Sequence, residues 1–307
     1  MWRHISAMLT SCQENEFSVL LPSDHTSCGS LSLPTSSPAL ITGGSSGIGL
    51  ALARRLVAAG RPVILVARDA DRLALAAADV QASAAEARVL TIAADVGEDG
   101  EMDRAVATAV AAFGPLGYAI ANAGIARPGL FVEQPLEDHG AQMRTNYFGA
   151  LNLARAAVPA FGPAGRLVFV ASGAALVGIH GYSAYAPSKF ALRGLAEVLR
   201  VELASRGISV TLAFPPDTDT PQLAAERATK PEATRRITAQ GGVYSADAVA
   251  GRILAAADRG RFMVTQGLSL EVLMRVQDLL GPFLRASQVR TIKAVEREAP
   301  PDRDRDA

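Results

Sequence analysis

The sequence predicts an α/β fold: one doubly wound parallel sheet with helices on both faces. Three observations carry the prediction. Seven short aliphatic or β-branched runs alternate with Ala-rich segments at helical spacing. The runs are continuously apolar rather than alternating, as strands covered on both faces are. A glycine-rich turn separates the first run from the first helical segment. Strand and helix in steady succession give parallel strands joined by helical crossovers.

The elements follow in order. Residues 1–37 are rich in Ser and Thr, show no period, and read as an N-terminal extension without a fold of its own. The first strand is expected at 39–41, followed by the glycine turn and a helix over 48–59. Strands at 62–67 and 88–94 lead into helices at 72–81 and 102–113. A strand at 117–121 precedes a helix at 146–161, and a strand at 165–171 precedes one at 189–205. The last pair of strands, 208–214 and 261–265, flanks a helix at 246–258. Beyond residue 267, Val272, Leu273, Val276, Leu279, Leu280 and Phe283 form one stripe, with Glu271, Arg275 and Asp278 opposite. This segment, 268–293, packs on the core or on a second copy of the chain, or lies on a membrane surface. Residues 294–307 form a charged tail.

Composition sets outer limits. The 307 residues are 49% hydrophobic and 20% charged, which suits a packed globule rather than a disordered chain. Thirty basic residues against thirty acidic ones leave no excess for nucleic acid. Cys12 and Cys28 exclude a disulfide framework and a structural zinc site, and no metal is expected. No uncharged apolar stretch reaches the ~18–20 residues that span a bilayer. Gln13, Glu14, Asn15 and Glu16 interrupt the start before a signal-peptide core could form. The expected location is cytoplasmic, with peripheral contact at a membrane surface through 268–293 as the only membrane association.

The turn Thr42-Gly43-Gly44-Ser45-Ser46-Gly47-Ile48-Gly49 sits between strand and helix. Glycines let the backbone approach a pyrophosphate, and the following helix offers it unpaired N–H groups. Gly43, Ser45, Ser46, Gly47, Ile48 and Gly49 are therefore candidate nucleotide-binding residues. Gly43 to Gly47 also fits the G-x-S-x-G elbow of hydrolases, but that chemistry needs a later acid and then a His, and the last His is His180. At the end of the second strand stand Arg68 and, one turn on, Arg72. An Arg there accommodates a 2′-phosphate, favouring NADPH/NADP over NAD. Asp69 would suit NAD; its other reading is the N-cap of the helix that carries Arg72.

Tyr185 and Lys189 are four apart at the start of a helix and share one face. Pro187 is tolerated because it falls in the first turn. A free tyrosine ionises near pH 10, and an adjacent ammonium is expected to bring that value down. Tyr182 has no such partner, since Ala186 stands four residues on. Ser172 and Asn122 end strands at the edge where a ligand sits, and Asn146 is a poor helix former inside a helical pattern. Each alone is an ordinary turn or cap residue; together, in this order, they point to catalysis.

With these residues in place, the sequence resembles the short-chain dehydrogenase/reductase superfamily over about residues 38–267. The resemblance implies a single Rossmann-type domain. It implies Tyr185 as general acid in reduction and base in oxidation, and Lys189 as the residue that tunes Tyr185 and holds the nicotinamide ribose. Ser172 would polarise the carbonyl and Asn146 would hold a water in a proton relay. Asp95 would meet the adenine and Asn122 would line the cofactor channel.

A narrower resemblance rests on Pro215-Pro216-Asp217-Thr218-Asp219-Thr220-Pro221, with Thr229-Lys230-Pro231-Glu232 and Thr234-Arg235. This pattern is similar to the 3-ketodihydrosphingosine (3-dehydrosphinganine) reductases, which use NADPH on a long-chain amino ketone. Asp217 and Asp219 would then attract the substrate amine; their other reading is as caps of the turn and the following helix. His180, between Ser172 and Tyr185, reads as a solvated or backbone-bonded loop residue. A steroid or acyl ketone substrate, and a non-enzymatic NADPH sensor, are the alternatives. A homo-oligomer is compatible with the apolar stripe.

Overall fold

All seven predicted strands form in a computed structural model of the chain, which describes residues 33–298. Most of the 1–37 extension and the end of the charged tail lie outside the described residues. The strands are β1 (Ala39–Thr42), β2 (Val63–Ala67), β3 (Val89–Ala93), β4 (Leu116–Ala121), β5 (Phe161–Val170), β6 (Ile208–Phe214) and, last in the chain, β9 (Met263–Thr265). They make one sheet in the order β3-β2-β1-β4-β5-β6-β9. Every pairing in it is parallel, with register such as Leu40 opposite Ile64 and Ala119, and Leu167 opposite Val210.

The continuous apolar runs are explained by burial on both sides. Leu40, Ile64, Leu167, Phe169 and Leu212 face one core. Their neighbours Ile41, Leu65, Val168 and Ala213 face the other. Helices α3 (Glu101–Phe113), α5 (Gly149–Ala157) and α6 (Tyr185–Glu202) cover the first face through residues such as Met102, Leu153 and Leu192. Helices α1 (Gly47–Ala58), α2 (Ala70–Ala82) and α9 (Ala246–Asp258) cover the second through Leu52, Leu73 and Ile253. Burying a side chain the size of Leu or Phe stabilises by about 1.5–3 kcal/mol, so this two-sided burial is the main force on the sheet.

Several expectations are corrected. The helix expected at 146–161 is a composite: α4 (Leu136–Met143), a π-helical turn at Arg144–Phe148, then α5 and a 3-10 turn at Val158–Ala160. Pro159 lacks the N–H that would extend the helix, and β5 begins at Phe161 rather than 165. Between β6 and α9 the chain adds α7 (Pro221–Thr229), α8 (Glu232–Thr238) and a two-stranded ladder of β7 (Thr218–Asp219) with β8 (Tyr244–Ser245). Neither Asp217 nor Asp219 caps α7; Thr220 does, accepting from the Leu223 N–H at 3.2 Å.

The C-terminal helix α10 (Leu268–Glu298) continues past residue 293, with a break at Val276 and Pro282 inside it. Arg236 pairs with its last residue, Glu298, at 2.7 Å. Its predicted stripe divides: Leu273 joins the core, with Leu270, Met274 and Leu284 packed against it, while Leu279 and Phe283 remain largely exposed. Among the described residues, no helix is long and apolar enough to cross a membrane.

Candidate active site

At the carboxyl ends of the strands lies a cavity of about 1190 Å³. It begins at the glycine turn, where β1 and β4 are adjacent although far apart in sequence. The strand order reverses direction there, which leaves a crevice for a ligand. Gly43 and Gly47 take positive φ (65° and 55°), a region side chains disfavour. Ser46 N-caps α1 with extended backbone, and its side chain makes no capping bond. The first N–H groups of α1 are thus left for an anion, and Gly43, Ser45, Ser46, Gly47 and Ile48 line the cavity there.

Asn122 does more than line the channel. Its Nδ2 donates to the carbonyls of Thr42 (3.0 Å) and Gly43 (3.2 Å), tying the turn to the end of β4. Thr42, which sequence reasoning passed over, completes the tie: its Oγ1 accepts from the N–H groups of Asn122 and Ala123, each at 3.1 Å.

Arg68, Asp69, Arg72 and Asp95 line the next part of the cavity. Asp69 is an N-cap, accepting from the Arg72 N–H at 3.0 Å. Its carboxylate lies 3.4 Å from Arg72 Nε, and Asp95 lies 3.7 Å from Arg68. Asp95 also accepts from the Gly97 N–H at 2.9 Å. Both guanidinium groups are largely exposed at the rim and open to a further anion. An uncapped helix start, a turn that needs glycine and two rim guanidinium groups together fit a phosphorylated dinucleotide.

The proton-transfer residues converge as their spacing predicts. Tyr185 is the first residue of α6, and Lys189 follows one turn later; both are buried and both line the cavity. Lys189 Nζ lies 5.7 Å from the Tyr185 ring centroid and donates to the Val170 carbonyl at 3.0 Å. Ser172, just past β5, accepts from the Ala174 N–H at 3.2 Å, lines the cavity with Tyr185 and favours the ionised form of its phenol. Asn146 is fully engaged away from the cavity. Its Oδ1 accepts from the Ile125 N–H (2.8 Å), and its Nδ2 donates to the Ile125 carbonyl and to Ser188 Oγ (both 2.9 Å). It clamps the loop after β4 to α6.

The expected sign of the Tyr185 shift is reversed. Burial, then the Glu226 carboxylate, push the phenol above its ordinary value, against hydrogen bonds from Ser172 and Gln222 that favour the phenolate. The same burial lowers Lys189 to about 8, with Glu226 opposing. Desolvation outweighs the ammonium, which is directed at the Val170 carbonyl.

Three residues of this wall were not singled out as site residues. Gln222 and Glu226 of α7 line the cavity with Asp217, whereas Asp219 does not. Tyr182 stacks 5.3 Å from the Tyr185 ring and donates to Glu226 at 2.9 Å. The Thr220-Pro221 pair, an N-cap followed by proline at the first helical position, was the signal that α7 starts there. His180 is a loop anchor: its N–H donates to Gln288 (2.9 Å), and its ring lies 3.3 Å from Thr234 Oγ1. It does not line the cavity that holds Ser45, so the hydrolase reading has no base there. Among the described residues, no group of three or more His, Cys, Asp or Glu could hold a metal ion.

Comparison with known proteins agrees with this geometry. The short chain dehydrogenase family profile matches residues 37–231. The chain is 38% identical over 233 residues to the 3-dehydrosphinganine reductase of Danio rerio, covering 74% of this chain and 70% of that protein. It is 41% identical over 231 residues to the 3-dehydrosphinganine reductase TSC10B of Arabidopsis thaliana, covering 73% and 68%. Among solved structures, a short chain dehydrogenase/reductase from Burkholderia phymatum in complex with NAD superposes with a TM-score of 0.71 at 26% identity, covering 80% of this chain and 93% of that one. A short chain dehydrogenase from Burkholderia cenocepacia in complex with NADP gives 0.66 at 33%, covering 75% and 96%. The parallel sheet, the glycine turn at its crevice and a family match over residues 37–231 lead to one conclusion: the chain belongs to the short-chain dehydrogenase family and is an oxidoreductase of alcohol–ketone pairs.

Proposed function

We propose that the protein reduces the 3-ketone of 3-ketodihydrosphingosine to sphinganine with NADPH. One observation carries the reading: the Ser172–Tyr185–Lys189 group opens into a cavity with an apolar wall, in a chain similar to reductases named for that substrate. Leu270, Leu273, Leu280 and Leu284 supply that wall and suit a long alkyl chain. Leu279 and Phe283, exposed on the same helix, support peripheral contact with a lipid surface from which such a chain would enter.

The chain's own residues do the following. The start of α1 receives the pyrophosphate, and Arg68 and Arg72 receive the 2′-phosphate. When bound, the reduced nicotinamide supplies the hydride. Tyr185, held as the neutral phenol by burial, gives its proton to the ketone oxygen. Ser172 donates a second hydrogen bond as negative charge develops there. Lys189 holds the ribose and offsets charge on Tyr185. Asn146 is a positioning residue that holds α6 against the loop after β4.

The test is purified protein with the amino ketone and either NADPH or NADH, read by loss of nicotinamide absorbance and by product mass. Sphinganine should form, with NADPH preferred by roughly 10-fold or more, the scale of one charge-assisted contact. Faster turnover of a steroid or acyl ketone would replace the substrate assignment; equal use of NADH would remove the role given to Arg68 and Arg72.

A pH dependence follows from Lys189, whose working form is the cation and whose value is lowered to about 8. The cation is present below that value and is lost as pH rises through it. Reduction, followed as kcat/KM, should hold level through neutral pH and fall above about pH 8. A plateau maintained well into the alkaline range would contradict a charged Lys189 in the reaction.

A further inference from the structure

The substrate named above carries an ammonium on the carbon next to its ketone. That group must therefore meet the cavity wall immediately beside Tyr185. A single carboxylate stands there almost completely buried: Glu226, 7% exposed and lining the cavity. Its Oε2 accepts from the Tyr182 hydroxyl at 2.9 Å, and its Oε1 accepts from Gln222 Nε2 at 3.1 Å. Both the Glu226 charge and the Gln222 amide act on the Tyr185 phenol, the first raising and the second lowering its pKa, so the carboxylate stands close to the catalytic hydroxyl.

The charges around Glu226 do not balance on the cavity side. Asp217 lines the same wall. Lys230 answers both carboxylates, 3.7 Å from Glu226 and 3.9 Å from Asp217, but it is buried behind them and does not line the cavity. Arg227, exposed to solvent, pulls on Asp217 from outside, and Lys189, on which the Glu226 charge acts, gives its ammonium to the Val170 carbonyl. At ion-pair distance, the buried Glu226 and the part-exposed Asp217 therefore share one buried ammonium. Burial holds the Asp217 carboxyl above its ordinary value even though Lys230 pulls it down, and the Glu226 charge adds to the rise. An incompletely compensated buried anion is costly, and a cation arriving from the cavity would relieve it.

We infer that Glu226, backed by Asp217, receives the ammonium of a 2-amino ketone and thereby selects that substrate class over neutral ketones of equal length. The inference rests on the reaction proposed above. It goes further by assigning the selectivity to a carboxylate of α7.

The experiment compares wild type and Glu226→Gln on two substrates, 3-ketodihydrosphingosine and the same long-chain hydroxyketone without its amino group. The readout is the ratio of their kcat/KM values. Glu226→Gln should lower that ratio by roughly 10–100-fold, the scale of a hydrogen bond to a charged group. A ratio within about twofold of wild type overturns the inference, because a contact of this kind shifts it further. Should Glu226→Gln fail to fold, judged by melting temperature and NADPH binding, wild type alone decides. The amino diol product should then inhibit at least ~10-fold more tightly than its deaminated counterpart, and equal inhibition overturns the inference. If wild type reduces the neutral ketone but not the amino ketone, the proposed reaction itself falls. If wild type reduces the amino ketone and Glu226→Gln keeps the ratio, only the recognition falls.

Discussion

Replacing Tyr185 by Phe is expected to cut ketone reduction by about 10²–10⁴-fold, the usual contribution of a positioned general acid. The change removes one hydroxyl and leaves the ring, which is buried and stacked 5.3 Å from Tyr182. Ser172 and Gln222, the polar side chains that act on the hydroxyl, both line the cavity, where water can satisfy them. The stability cost is therefore about 1 kcal/mol, the net value of an ordinary hydrogen bond. NADPH affinity should stay close to wild type, because the glycine turn and Arg68 are untouched. The measurement is single-turnover reduction alongside a fluorescence titration with NADPH. Near wild-type turnover in this variant would take Tyr185 out of the reaction, and lost NADPH binding would show that the variant had disturbed more than the acid.

Gly49→Ala should abolish most dinucleotide binding, although helix propensity alone predicts a gain. Gly49 lies in the first turn of α1 at an ordinary φ, and Ala there would favour the helix by roughly 1 kcal/mol. A Cβ at this position would stand 2.2 Å from the Gly43 carbonyl oxygen and 2.6 Å from Asn122 Nδ2. Neither is the free end of a flexible chain. The Gly43 carbonyl accepts from Asn122, and Asn122 also bonds Thr42, so relief of the clash pulls the turn off β4. A displacement on the order of 1 Å in a binding loop costs about 10²-fold, and overpacking adds ~1–3 kcal/mol of instability. Calorimetric titration with NADPH and a thermal melt measure both effects. A Gly49→Ala variant as stable and as tightly binding as wild type would contradict the packing described here.

Much of the site was legible because its signals are local. Tyr185 and Lys189 announce themselves by helical spacing, and Gly43 and Gly47 by the turn they must make. The Arg72–Asp69 cap is a four-residue motif. What stayed hidden was set by contacts distant in sequence. Asn146 stood out because its type is unusual in a helix, and the family resemblance gave it a relay role; its three bonds run to Ile125 and Ser188, which only the fold brings near. The helix at Pro221–Thr229 was expected only as an element for Asp217 or Asp219 to cap, and its cavity residues Gln222 and Glu226 carry no local signal of a site.

By itself the sequence determined the alternation of strands and helices, the two-sided burial of the sheet, the glycine turn and the pairing of phenol with amine. These depend on spacing within a few residues, and backbone geometry converts spacing directly into a shared face. Only the tertiary structure decided which carboxylate stands beside Tyr185 and which way its acidity moves. Tyr182 and Glu226 are 44 positions apart. The loss of water around a side chain depends on everything packed over it, and at Tyr185 that loss outweighs the nearby ammonium.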